Sequence, residues 1–170
     1  RIGSSAASDV YKRQVIGFAV DQISKLYVAF WLDLINLQEI DVFAPFLNFR
    51  MAWNYGVNFG LFSGQSEVQR TALILIALGI SAVVAFWAIR HGSGRLTPVA
   101  AGLLIGGALG NSLDRLIYGA VVDFLNMSCC GIENPFVFNL ADVAIFLGAI
   151  GLMFAPHPQD PTIADRDKNG

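Results

Sequence analysis

The sequence predicts an all-α polytopic membrane protein of four transmembrane helices, with a small β-sheet element in the first long loop. Three observations carry that prediction. Of the 170 residues, 55% are hydrophobic and only 14% charged, with a mean hydropathy of +0.56, far from the balance of a soluble domain. Four apolar stretches recur along the chain at roughly the length that crosses a hydrocarbon core. The long connection between the first two alternates in polarity with a period of two, which is a strand pattern.

Residues 1–14 are polar and small and lack the charged start, apolar middle and small-residue cleavage site of a signal peptide. They read as a non-native leader and are set aside from the fold. The first stretch, residues 15–32, is interrupted by Asp21, Gln22, Ser24 and Lys25, which makes it the weakest by hydropathy. Residues 71–89 contain no charge and give the clearest transmembrane helix. Residues 98–116 open on Pro98, suited to a first helical turn, and carry Gly102, Gly106, Gly107 and Gly110, which permit close helix contact. The fourth stretch, 136–154, is apolar except for Asn139 and Asp142 and ends before Pro156 and Pro158. Residues 15–155 thus form a single membrane domain, and the polar tail 156–170 reads as disordered.

In the loop 33–70, Leu47, Phe49, Met51 and Trp53 alternate with Phe46, Asn48, Arg50 and Ala52, so a small sheet is expected there. Gly56, Gly60 and Gly64 mark turns or close backbone approach beyond it. With four crossings, this loop and the connection 115–135 share one face of the membrane. The other face holds both termini, and Arg90, Arg95, Arg166 and Lys168 make it cytoplasmic by the positive-inside rule. The net charge of -2, without a Lys/Arg run, excludes nucleic acid as a partner. Cys129 and Cys130 are adjacent, a spacing that suits neither an ordinary disulfide nor a metal site.

Ionisable groups in apolar helices cost at least ~2.5 kcal/mol each at mid-bilayer, so each is a functional candidate. Asp21 and Lys25, four residues apart on one helical face, read as a structural ion pair. Asp114 and Arg115 lie within a turn of Asn111, and a snorkelling arginine with its partner is as good a reading there as a substrate contact. Asp123 and Asp142 stand in apolar surroundings with no basic residue within a helical turn. Two carboxylates in one low-dielectric site tend to share a proton, which makes a base and an acid for water attack on a peptide bond. Alternatively, one caps a helix start and the other binds an amide. Spacing alone slightly favours that second reading. His91 and His157 lie on the opposite face, no His-Glu-x-x-His exists to hold zinc, and no Gly-x-Ser-x-Gly exposes a nucleophile. A proton-coupled transporter and a non-catalytic signal-peptide scaffold are the rival classes; no repeated half supports the transporter.

Five segments, taken together and in order, resemble the lipoprotein signal peptidase (signal peptidase II) family. They are Asp21-Gln22-Ile23-Ser24-Lys25, Asn54-Tyr55-Gly56-Val57-Asn58-Phe59-Gly60, Gly106 through Arg115, Val121-Val122-Asp123-Phe124, and Phe138-Asn139-Leu140-Ala141-Asp142. The resemblance implies a four-helix inner-membrane aspartyl endopeptidase with a periplasmic sheet, both termini cytoplasmic and no cofactor. It implies that Asp123 and Asp142 are the catalytic dyad, that Asn54, Gly56, Asn111 and Arg115 contact substrate, and that Asp114 and Asn139 support the site while Asp21 and Lys25 remain structural. The implied substrate is a diacylglyceryl-modified prolipoprotein cut just before its lipidated cysteine, by an enzyme working as a monomer in contact with membrane lipid. Asn58 departs from the small residue usual in the family, and Cys129-Cys130 has no counterpart role.

Overall fold

The computed structural model describes residues 2–56, 67–92, 94–131 and 134–156. Its elements run α1 (Ile2–Lys25), a π-helical continuation (Leu26–Trp31), the short α2 (Leu34–Leu37), β1 (Glu39–Phe43), β2 (Leu47–Asn54), α3 (Glu67–His91), α4 (Leu96–Tyr118), β3 (Val121–Asn126) and α5 (Leu140–Met153). Helix α4 is the axis: 61% of its most apolar window is buried, against 11% for α3, and α1, α3 and α5 each pack on it. The expected Asn58, Gly60 and Gly64 contributions, the tail beyond Pro156 and His157 lie outside the described residues.

The glycines of α4 let the neighbouring backbones close in. A Cβ at Gly106 would stand 2.6 Å from the Gln14 carbonyl of α1, and Gly107 on the adjacent face abuts the Ala141 carbonyl of α5. From the other side, a Cβ at Gly148 of α5 would meet Ala100 O at 2.6 Å and Leu104 N at 2.7 Å, both backbone atoms that cannot swing aside. Gly148→Ala is therefore expected to destabilise the fold by about 1–3 kcal/mol through overpacking. Gly79→Ala on α3, where nothing among the described residues lies within 4 Å, is the matched control. Thermal unfolding in lipid of the two variants checks this, and equal midpoints would contradict the close α4/α5 approach.

Three features differ from the sequence expectation: where α1 starts, where α5 starts and which loops build the sheet. The helix begins at Ile2, well before residue 15, because Val10 is buried in a cluster with Ala88, Ala101 and Ile105 and the helix lies against Gly102. Small residues on the partner helix supply that packing, and the composition of residues 2–14 does not reveal it. Helix α5 begins at Leu140, later than residue 136, because Asn139 is its N-cap with φ -134 and ψ 177. The sheet has three antiparallel strands in the order β1-β2-β3, so it also draws on the second loop. Among the described residues, two helices, α3 and α4, are long and apolar enough to cross a membrane, while α5, at 14 residues, is shorter.

The third strand carries the consequence. Each of its residues except Leu125 is buried, and its Val122 and Phe124 join Met51 of β2 in one cluster with Val28, Ala29 and Leu34. Register pairs Asp123 with Ala52 and Val121 with Asn54. Phe138 then pairs alongside β3, exchanging backbone hydrogen bonds with Leu125 at 2.8 and 3.0 Å. That bridge delivers Asn139, and the start of α5, to the side of Asp123.

Candidate active site

Four elements meet where β3 leaves α4 and where α5 starts. Asp123 is 2% exposed. Its Oδ2 accepts a hydrogen bond from Asn54 Nδ2 at 3.0 Å and its Oδ1 accepts from Asn139 Nδ2 at 2.6 Å. Asn54 reaches it because alternate residues of a strand share a face, which puts Asn54 diagonally across from Asp123 once Ala52 is opposite. The Asn54 side chain is itself set by the Gly56 N–H, which donates to Asn54 Oδ1 at 2.9 Å across a turn with Gly56 at φ 99.

Asp142 occupies the third position of α5. The Asn139 side-chain oxygen Oδ1 accepts from Asp142 N–H at 2.9 Å, and Asp142 Oδ2 accepts from the Asn139 backbone N–H at 3.3 Å, closing a capping box. Its other oxygen accepts from Asn111 Nδ2 at 2.8 Å. Asn139 therefore touches both carboxylates, one through its side chain and one through its backbone. The second of the two readings left open by the sequence is met in the local bonds: Asp142 caps a helix, Asp123 binds amides, and both do so at one site.

A layer of buried charge lies beneath. Lys25 Nζ contacts Asp21 Oδ2 at 2.8 Å and Asp114 Oδ2 at 2.7 Å. Asp21 Oδ1 accepts from the Ala141 N–H at 2.9 Å, a second cap on α5, and Asp114 Oδ2 accepts from the Val122 N–H at 3.1 Å, an anchor for β3. The expected structural pair is thus a triad that ties α1, α4, β3 and α5 together. Arg115 is half-buried; its Nη1 donates to Asn111 O at 3.2 Å, while its Nε is buried without a partner among the described residues. Asp142, Asp123 and Asp114 all lie within electrostatic reach of its guanidinium.

Burial, and then the charge of Asp142, push the Asp123 carboxyl up to about 7; the amides of Asn54 and Asn139 and the Lys25 charge act against that rise. The arrangement holds one carboxyl ready to carry a proton near neutrality beside a second whose two oxygens both accept N–H bonds. Two carboxyls so placed have the groups from which an acid and a base could be drawn. Among the described residues no group of three or more His, Cys, Asp or Glu side chains is arranged to hold a metal ion.

All ten residues singled out from the sequence lie in this region: Asp123, Asp142, Asn54, Gly56, Asn111, Arg115, Asn139, Asp114, Asp21 and Lys25. Two others emerge only here. Gln22 Nε2 bridges Asp21 Oδ2, Asp114 Oδ1 and the Gly110 carbonyl at 3.1, 3.0 and 3.3 Å. Asn126, buried at the end of β3, donates to the carbonyls of Asn134 and Phe136 at 2.8 and 2.9 Å and so holds the return path to α5. A polar residue closing an apolar run was the available signal for Asn126.

The signal peptidase (SPase) II family matches residues 14–156. A lipoprotein signal peptidase of Methylorubrum extorquens (strain PA1) is 42% identical over 147 residues, covering 85% of this chain and 84% of that protein. One of Nitrobacter hamburgensis is 41% identical over 143 residues, covering 82% and 86%. A solved bacterial membrane enzyme superposes with a TM-score of 0.71 at 28% identity, covering 85% of this chain and 89% of that one. The match over most of its length, with the five motif segments inside it, means that the chain belongs to the signal peptidase II family.

Proposed function

We propose that this protein is an aspartyl endopeptidase that removes signal peptides from diacylglyceryl-modified prolipoproteins at the outer face of the bacterial inner membrane, with Asp123 and Asp142 as its dyad. The observation that carries the reading is the joint hold of Asn139 on both carboxylates, one of them raised to about 7. In this reading Asp142 takes a proton from a water while that water attacks the scissile carbonyl, and Asp123 gives its proton to the developing oxyanion. Collapse of the tetrahedral intermediate returns a proton to Asp123, and Asp142 passes its own to the leaving amine. Both groups end as they began. Arg115, whose Nε has no partner among the described residues, and Asn54 and Asn111, whose amides line the carboxylates, hold the substrate backbone, and Gly56 keeps Asn54 aimed.

The chain in this reading crosses the membrane four times, through α1 with its π-helical continuation, α3, α4 and α5, with both termini cytoplasmic. Exposed aromatic rings support the placement of the site at a membrane boundary: Tyr118, at the end of α4, lies 6.0 Å from Phe30 and 5.9 Å from Trp53, centroid to centroid, and such rings favour the interfacial layer. A self-contained site makes the working unit a monomer in contact with lipid, and no cofactor enters. The test is cleavage by the purified chain in lipid vesicles of a diacylated precursor beside its unmodified form. The expected result is a single cut before the lipidated cysteine in the first alone. Binding without cleavage would instead favour a scaffold, and proton flux without cleavage a transporter.

A further inference from the structure

We propose that Lys25 is a positioning residue for the reaction, holding the Asn111 amide in the one orientation that presents its N–H group to Asp142. The inference rests on the peptidase reading above and goes beyond the structural pairing expected of Lys25.

An ammonium has three donors. Two of those of Lys25 go to Asp21 and Asp114, which would suffice for an ion pair joining α1 to α4. The third goes to Asn111 Oδ1 at 3.1 Å. That same oxygen accepts from Asn139 Nδ2 at 3.2 Å, so the Asn111 carbonyl faces two donors and its NH2 is left to face Asp142 at 2.8 Å. Turning the amide over would set its NH2 against a buried cation and a second amide NH2, and its carbonyl oxygen against a carboxylate. Every contact would then be repulsive, in a site too buried for water to relieve it. A cation on α1 thus fixes a hydrogen bond to a carboxylate on α5 through an amide on α4. The ionisable groups around Lys25 are Asp21 on α1, Asp114 and Arg115 on α4, Asp123 on β3 and Asp142 on α5.

The Lys25→Met/Asp114→Asn double variant tests this, because it removes one charge of each sign and leaves the net charge of the cluster unchanged. It is read against Asp114→Asn alone, with cleavage of a diacylated precursor in vesicles followed across pH. The expected result is a folded protein with kcat lower by between about tenfold and 100-fold, the range for a mispositioned catalytic group, and a smaller rise in KM, since Asn111 also faces the substrate in that reading. The alkaline limb of kcat should also move to higher pH, since the Lys25 charge that opposes protonation of Asp123 is gone. A kcat and a limb equal to those of Asp114→Asn would overturn the proposal. Should the double variant not fold, Lys25→Arg, which keeps the charge and the donors, is expected to keep the alkaline limb at its parental position; a displaced limb there would equally overturn it. Failure of the parent chain to cleave would instead overturn the peptidase reading.

Discussion

Asp142→Asn is expected to lower kcat for prolipoprotein cleavage by roughly 10³-fold, and Asp123→Asn by a similar factor, within the range for loss of a general base or acid. An asparagine cannot take a proton from water, so the first variant loses the attacking hydroxide. It also cannot give a proton to an oxyanion, so the second loses the acid. The double variant should be little worse than either single change, because groups that act on one transition state are not additive. Single-turnover cleavage in vesicles checks this, with thermal unfolding alongside. The amide introduced by Asp142→Asn would turn its NH2 towards either the Asn139 N–H or the Asn111 Nδ2, and some loss of stability is expected. A near-parental rate in either variant would end the dyad account.

The second large effect is on pH. In the proposed mechanism Asp123 is the acid, so the active form carries its proton, and burial together with the Asp142 charge keeps that proton on up to about 7. Activity is therefore present below that value and lost above it, with kcat falling about tenfold per pH unit once Asp123 is ionised. The direction is opposite to the one an ordinary carboxylate would give: an Asp titrating near about 3.9 and acting as a base would switch activity on as pH rises through that range. Rates measured at saturating lipopeptide between about pH 5 and 9 separate the two, and a plateau through the top of that range would remove Asp123 from the acid's role.

The parts of this architecture that could be read in the sequence were those written in local pattern. Residues 71–89 announced α3 by an unbroken apolar run, and the alternation around Leu47 to Trp53 announced β2. Strand β3 stayed hidden because it is buried on both sides, so Val121 to Asn126 show no alternation. The start of α5 was legible in principle, since Asn139 and Asp142 have the spacing of a capping box; the apolar Phe136 and Val137 before it pointed to an earlier start. The helix through residues 2–14 could not be read from composition, because what orders it is a groove of small side chains on α4. The site divided along the same line. Each polar residue was conspicuous against its apolar setting, whereas the bond from Lys25 to Asp114 joins distant parts of the chain and exists only because α1 lies along the glycines of α4.

The proposed retention of a proton by Asp123 beside a charged Asp142 is most directly tested by infrared titration of the parent protein beside Asp142→Asn, following the protonated-carboxyl stretch in vesicles. The account predicts one carboxyl band that disappears as pH rises through about 7 in the parent and at a distinctly lower pH once the Asp142 charge is removed. A spectrum in which every carboxyl is already ionised by about pH 5, as for unperturbed groups, would contradict it.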